Sequence, residues 1–448
     1  MESQQIADKA AAVMPAVIAD LERLVAIPSV AFPGYPSEPV EGMAAETLRL
    51  FRDVGFENVE LMEVPTGYPP IYAEIKGPPG SPVVMLYAHY DVQPAPPEQG
   101  WTSDPWTATT KADGRIYGRG AADDKGGLAT HLGTMRIFNG HPPCTVKLIL
   151  EGMEETVSNL EAFVESHQDL FACDVFLVCD MGNLRVGEPV LTTTLRGHVA
   201  AVVTVRTLDH PLHSGVFGGA APDAMMALAR LLTTLHDDAG NVAIAGVTRL
   251  EPPEAEFSEE EFLASADLLP GVRLIGSGTV GARLWTSPAV SAIGVDMTSI
   301  AGASNVVVPE VAARVSLRIV PGSDPERELD ALVAHLETHA PWGAQVEVKR
   351  VKAAPPFECN TAGPAYVAAR EALEGAFGAP AGEVGSGGSI PLLDTLRDAA
   401  PQAEFILWGP EDVAGSRIHA SDESVDPSEI ERMVVAQALF LQRIAQQE

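Results

Sequence analysis

The sequence predicts an α/β protein in which a mixed, largely parallel sheet is flanked by helices and interrupted by an inserted ferredoxin-like βαββαβ domain. Three observations predict it. Short apolar runs alternate with helical patterns, the signature of parallel strands buried on both faces. The block from Arg196 to Arg350 changes to the order strand, helix, strand, strand, helix, strand. After the Pro355-Pro356 break the earlier alternation resumes. The block therefore divides one domain, 1–195 with 351–448, and forms a second, 196–350, itself.

In chain order, the first 30 residues, "MESQQIADKAAAVMPAVIADLERLVAIPSV", have an amphipathic helical pattern carrying Glu2, Asp8, Asp20 and Glu22. They lack the basic start and cleavage site of a signal peptide, which predicts a cytoplasmic location. Val83 to Tyr90, Thr145 to Gly152, Val175 to Asp180 and Glu404 to Gly409 read as buried strands, with a helical pattern at Gly127 to Phe138. Within the insert, "GHVAAVVTVRT", "VSAIGVDMTSI", "AARVSLRIVP" and "AQVEVKRV" are strands, and "PDAMMALARLLTTLH" and "SDPERELDALVAHLETHA" are helices. The second helix starts with a Ser323 or Asp324 cap, Pro325 in its first turn, and Glu326 and Glu328 at its positive end.

With 448 residues, 46% of them hydrophobic and 20% charged, the chain can bury a large core in two domains. A net charge of −32 argues against nucleic acid or an anionic membrane surface as partner. No apolar run approaches the roughly 20 residues of a membrane span. Cys144, Cys173, Cys179 and Cys359 lack CxxC spacing and read as buried free thiols in a reducing compartment.

In a largely parallel sheet, functional groups collect beyond the carboxyl ends of strands. There the chain offers His89 and Asp91 in "HYDVQP", Glu154 and Glu155 in "EGMEET", and Asp180 in "LVCD". The loop "GRGAADDKGG" adds Asp123 and Asp124, and "SRIHASDES" adds His419. Taken singly, each has an ordinary structural role as a cap, a strand end or a solvated acid. Together they would crowd carboxylates at one sheet edge, which is costly without cations among them. The mixed nitrogen and oxygen set suits zinc, manganese or cobalt better than a thiolate site would.

These motifs, with "LHSGVFGG" and "GGSIP", resemble in order and spacing the dinuclear zinc aminopeptidase-like family that includes carnosinase-type dipeptidases, aminoacylase and glutamate carboxypeptidase. "HYDVQP" and "DDKGG" are most similar to the carnosinase-type cytosolic dipeptidases. The resemblance implies two divalent ions per chain, zinc first, with manganese or cobalt as alternatives. His89, Asp123 and Asp180 would hold one, and Asp123, Glu155 and His419 the other, with Asp123 bridging. Asp91 would orient the His89 imidazole and raise its basicity. Glu154 would act as general base on a metal-bridging water, hydrolysing dipeptides or short peptides with a free C-terminal carboxylate.

The resemblance further implies a cis Asp123–Asp124 peptide and a homodimer in which His213 reaches the partner's site to stabilise the oxyanion. It places substrate contacts at Asn305, Arg318 and Ser389, with Arg318 gripping the α-carboxylate. The chain departs from the pattern at Asn305, where relatives often have Thr, at Asp422, where they often have Asn, and at Gly385-Ser386 in place of Arg-Glu. Removal of an acyl group from an N-acyl amino acid is the alternative reaction for the same residues. A phosphate-binding reading of "GRGAADDKGG" fails because Asp123 stands where a third glycine belongs and repels phosphate. A serine hydrolase reading fails because there is no GxSxG elbow.

Overall fold

The computed structural model describes residues 3–253, 257–266, 268–351, 353–388, 390 and 392–446. Its principal sheet has six strands in the order Asn58–Leu61, Ile71–Ile75, Thr145–Glu151, Val83–His89, Val175–Val178, Glu404–Leu407. The last four are mutually parallel, and the first two form an antiparallel edge. The four apolar runs are all strands of this sheet. The two edge strands, short and lying in a Pro- and Gly-rich stretch, carry too little periodicity to be read from sequence.

Alternation along Val83–His89 explains why both faces are covered. Val84, Leu86 and Ala88 face one core, shared with helices Ser3–Val25, Lys125–Ile137, Pro364–Phe377 and Pro427–Ile444. Met85 and Tyr87 face the other, with helices Leu160–Ser166 and Leu392–Ala399. From Val83–His89 the chain crosses to Thr145–Glu151 on one side, then to Val175–Val178 on the other. The order therefore reverses beside His89, and a crevice opens where such sheets bind ligands.

The insert forms a second, four-stranded antiparallel sheet in the order Ala289–Asp296, Glu310–Ile319, Gly197–Arg206, Gln345–Arg350. Helices Ala224–Thr233 and Pro325–Thr338 bury Leu228, Leu231, Leu332 and Leu336 against one face of it. This is the ferredoxin-like order. Asp324, not Ser323, caps the second helix, accepting from the N–H groups of Glu326 and Arg327. Glu328 is buried and accepts from Thr248, so it anchors a loop as well as favouring the helix start.

One excursion was not legible in sequence. Leu235, Val242 and Ile244 still pack in the insert's core and Thr248 bonds to Glu328; beyond them the chain forms helix Glu259–Ser265 and packs Phe257, Val280 and Trp285 against Leu184, Val190 and Val384 of the first part. All four cysteines are free, Cys144 and Cys179 fully buried and Cys173 and Cys359 half-buried. Among the described residues no helix is long and apolar enough to cross a membrane.

Candidate metal centre

His89 ends the central strand, and the strand's pairing with Thr145–Glu151 and Val175–Val178 brings Glu154, Glu155 and Asp180 to the same end. The loop before helix Lys125–Ile137 adds Asp123. Asp124 caps that helix, accepting from the Gly127 N–H at 3.1 Å, and its other oxygen accepts from the His89 N–H at 3.1 Å. The glycine is required: a Cβ at Gly127 would lie 2.0 Å from the Asp124 carboxylate and 2.4 Å from the Cys179 carbonyl. The Asp123–Asp124 peptide is cis, as the resemblance implies.

Two ligand-type groups form here, His89 with Asp123 and Asp180, and Asp123 with Glu155 and His419. His89 Nε2 lies 2.8 Å from Asp123 Oδ1 and 3.6 Å from Asp180 Oδ1. His419 Nε2 lies 3.0 Å from Asp123 Oδ2 and 3.2 Å from Glu155 Oε2. Each oxygen of Asp123 thus serves a different group, the arrangement a carboxylate adopts between two cations. The donor atoms within each group lie within 4.8 Å of one another, and all are nitrogen or oxygen. Such a set fits two divalent ions of the zinc, manganese or cobalt type. The His419 side chain is 53% exposed, so the second group opens to solvent.

The electrostatics point the same way. Burial, reinforced by neighbouring carboxylates, pushes Asp180 up to about 6. Burial also pushes Glu154 up to about 9, with Asp180, Asp123 and Glu155 adding to it against the opposing effect of His89. Hydrogen bonds to Asp123 and Glu155 raise His419 to about 10. Burial works to lower His89, but Asp123, Asp180 and Asp91 outweigh it and hold it well above its usual range. Burial works to raise Asp123, yet His419 and His89 hold it below the usual carboxylate range. These are acids crowded beyond what two imidazoles can neutralise, and bound cations remove that conflict.

Asp91 does more than the sequence suggests. The His89 Nδ1 lies 3.1 Å from the Asp91 carbonyl and 3.5 Å from its carboxylate. The carboxylate itself accepts from the Glu154 N–H at 3.1 Å and the Glu155 N–H at 3.2 Å. One buried residue therefore fixes a ring and the turn that carries Glu154 and Glu155.

Two site residues were missed in sequence. Gln93 donates to Glu155 at 2.7 Å, and it sits within "HYDVQP". Glu423, fully buried, accepts from the N–H groups of Gly120, Ala122 and Asp123 and pairs with Arg119 at 2.7 Å, tying the Asp123 loop to the His419 loop. Its only signal was its place in "HASDES". Asp422 accepts from Thr102 twice and lies 3.4 Å from Lys111, a cation that favours a carboxylate at this position.

His213, Asn305 and Arg318 lie on the insert, apart from the two ligand groups. His213 is exposed, and its Nδ1 accepts from the Gly215 N–H at 3.0 Å. The exposed Asn305 accepts from the Ser214 N–H at 3.0 Å, so these two positions adjoin. Arg318 is half-buried on Glu310–Ile319, opposite His198. Ser389 lies outside the described residues. Beside the ligand groups is a cavity of about 470 Å³, with Asp180, Glu411 and Ile418 among its walls.

Residues 85–443 match the model of peptidase family M20/M25/M40. The chain belongs to this family. It is similar to the cysteinylglycine-S-conjugate dipeptidase of Corynebacterium striatum, 39% identical over 376 residues, which are 82% of each chain. It is 30% identical to the Beta-Ala-His dipeptidase of Rattus norvegicus over 80% of this chain and 76% of the relative. The crystal structure of human carnosine dipeptidase 1 superposes with a TM-score of 0.82 at 25% identity, covering 100% of this chain and 99% of that one. The chain is thus a metallopeptidase of the M20/M25/M40 family, with the α/β fold and inserted domain that the sequence predicts.

Proposed function

We propose that this metallopeptidase is a cytoplasmic homodimer that hydrolyses dipeptides or short peptides with a free C-terminal carboxylate. Residues 1–195 and 351–448 form its catalytic domain and 196–350 its lid and dimerisation domain. The reading rests on one observation above all: Asp123 presents its two oxygens to two separate ligand groups. His89, Asp123 and Asp180 hold one divalent ion, and Asp123, Glu155 and His419 the other, zinc being the first candidate. Bound there, two ions would polarise the scissile carbonyl, acidify the attacking water and offset the carboxylates that raise Glu154.

The chain's own residues do the rest. Glu154 takes the proton from the attacking water and delivers it to the leaving amine. Asp91 holds Glu154, Glu155 and His89 in register through the contacts above. Arg318 takes the α-carboxylate, and Asn305 contacts the substrate beside it.

His213 donates to the oxyanion of the partner's site. In support, Ala289–Asp296 is an edge strand whose outer side pairs with no strand among the described residues, with Ile293 56% exposed and Ile300 beyond it 98% exposed. Val216 and Phe217, beside His213, are exposed too, so the histidine sits on an apolar face that a second copy would cover. The free cysteines agree with a reducing compartment.

Names of relatives favour dipeptides over N-acyl amino acids, since the Corynebacterium striatum and Rattus norvegicus proteins are both dipeptidases. The cavity supports the same choice. Glu411 and Asp180 give its walls carboxyls that can receive an α-ammonium, which an acylated substrate lacks. Chelation should abolish hydrolysis of unblocked dipeptides, and zinc or manganese should restore it. Full activity in protein verified as metal-free refutes the reading, and hydrolysis of N-acyl amino acids alone replaces it with the deacylase.

A further inference from the structure

We propose that the cavity beside Asp180 receives the side chain of the substrate's N-terminal residue and selects a bulky apolar one. This rests on the dipeptidase reading. The cavity reaches Asp180 of the first ligand group and Ile418, adjacent in sequence to His419 of the second, so it adjoins the ligand groups on their Asp180 side. The N-terminal residue's Cα is bonded directly to the scissile carbonyl carbon, so its side chain is the substrate group that must leave from this point. Arg318 and Asn305, proposed for the C-terminal half, are not among the walls.

The walls set the chemistry. Leu184, Phe257, Phe262, Leu284, Trp285 and Val384 supply apolar wall, and polar groups that include Asp180, Glu411, Arg417 and Ser265 complete the lining. About 470 Å³ lies within the range of pockets that enclose small ligands and is far more than a methyl or thiol side chain fills. Apolar wall left uncovered gains by burial against an apolar partner.

The construction is rigid. Phe257 and Trp285, from the excursion beyond Thr248, are almost fully buried with Leu184, Val190 and Val384. The Phe257 and Phe262 rings meet edge-to-face with centroids 6.1 Å apart. Gly385 makes room for the indole, because a Cβ there would lie 2.7 Å from the Trp285 Cβ. The insert thus builds part of a pocket whose remaining walls come from outside the insert, among them strand Gly382–Ser386 and the loop at 411–418, and neither makes it alone.

The test compares kcat/KM of zinc-loaded enzyme for Ala-Gly, Phe-Gly and S-benzylcysteinylglycine. Phe-Gly and the benzyl substrate should exceed Ala-Gly by roughly 10- to 100-fold, the worth of burying one aromatic group. Ser265→Trp places a bulky ring in the wall; the serine hydroxyl bonds only to carbonyls of its own helix, so no cross-link is lost. Ala266→Trp, at the exposed end of that helix, carries the same test should the first variant fail to fold. In the folded variants the ratio of bulky to Ala-Gly kcat/KM should fall at least tenfold. A wild-type ratio at or below one, or a ratio unchanged in a folded variant, overturns the pocket assignment while leaving the dipeptidase reading intact. Hydrolysis of none of the three overturns both.

Discussion

Asp91→Ala tests the site where its geometry is most specific. The carboxylate is fully buried and accepts two backbone N–H groups, from Glu154 at 3.1 Å and Glu155 at 3.2 Å. A hydrogen bond to a charged acceptor contributes about 1.5–3 kcal/mol, so removing both costs about 3–6 kcal/mol if no other group replaces them. That is a large share of the roughly 5–15 kcal/mol that holds a domain folded. Freed of its anchor, the turn misplaces Glu155, and the His89 ring loses the charge 3.5 Å behind it. Metal affinity should fall about 10- to 100-fold. Asp91→Asn, with one neutral oxygen for two donors, should recover part of the loss. Denaturant unfolding of zinc-saturated protein and competition against a chromophoric chelator measure the two effects. A zinc-loaded Asp91→Ala protein within about 1 kcal/mol of wild type, with undiminished affinity, would refute the assigned role.

Glu154→Gln should keep both metals by elemental analysis while turnover falls about 10²- to 10⁴-fold, because both proton transfers lose their carrier; loss of the metals instead would make Glu154 a ligand. His213→Ala should lose about 2.7–4 kcal/mol of barrier stabilisation while binding metal normally. Mixed with Glu154→Ala under subunit exchange it should regain activity, since one site of a mixed dimer carries both defects and the other neither; no recovery despite exchange would mean that His213 serves its own chain or none. Burial holds His131 neutral, down to about 4, against its contacts with the Tyr87 carbonyl and Gln437. Its folded-state value lies below the unfolded one, so the unfolded chain binds the extra proton, and this stability is intact above about pH 6.5 and drains away down to about pH 4. The slope is about 1.4 kcal/mol per pH unit, and a His131→Gln protein whose stability follows wild type throughout that window would show that the imidazole does not carry it.

Local chemistry alone determined the parallel strands, the insert and the acids gathered at the strand ends, because alternation, capping and i, i+2 placement are short-range rules written in consecutive residues. His89 and Asp91 are legible for that reason, and the motifs around them carried the expected ligand set. The tertiary structure alone decided how those acids are held. Glu423 binds backbone about 300 positions away at Gly120, Ala122 and Asp123, Gln93 meets Glu155 across 62, and the Asp91 carboxylate meets Glu154 and Glu155 across 63 and 64. No periodicity spans such distances. The same holds for the apolar cavity, where Trp285 and Phe257 of the insert meet Leu184 and Val384 of the chain's other part. Burial drives any such apolar surfaces together without direction, and which of them meet is fixed by strand order and packing.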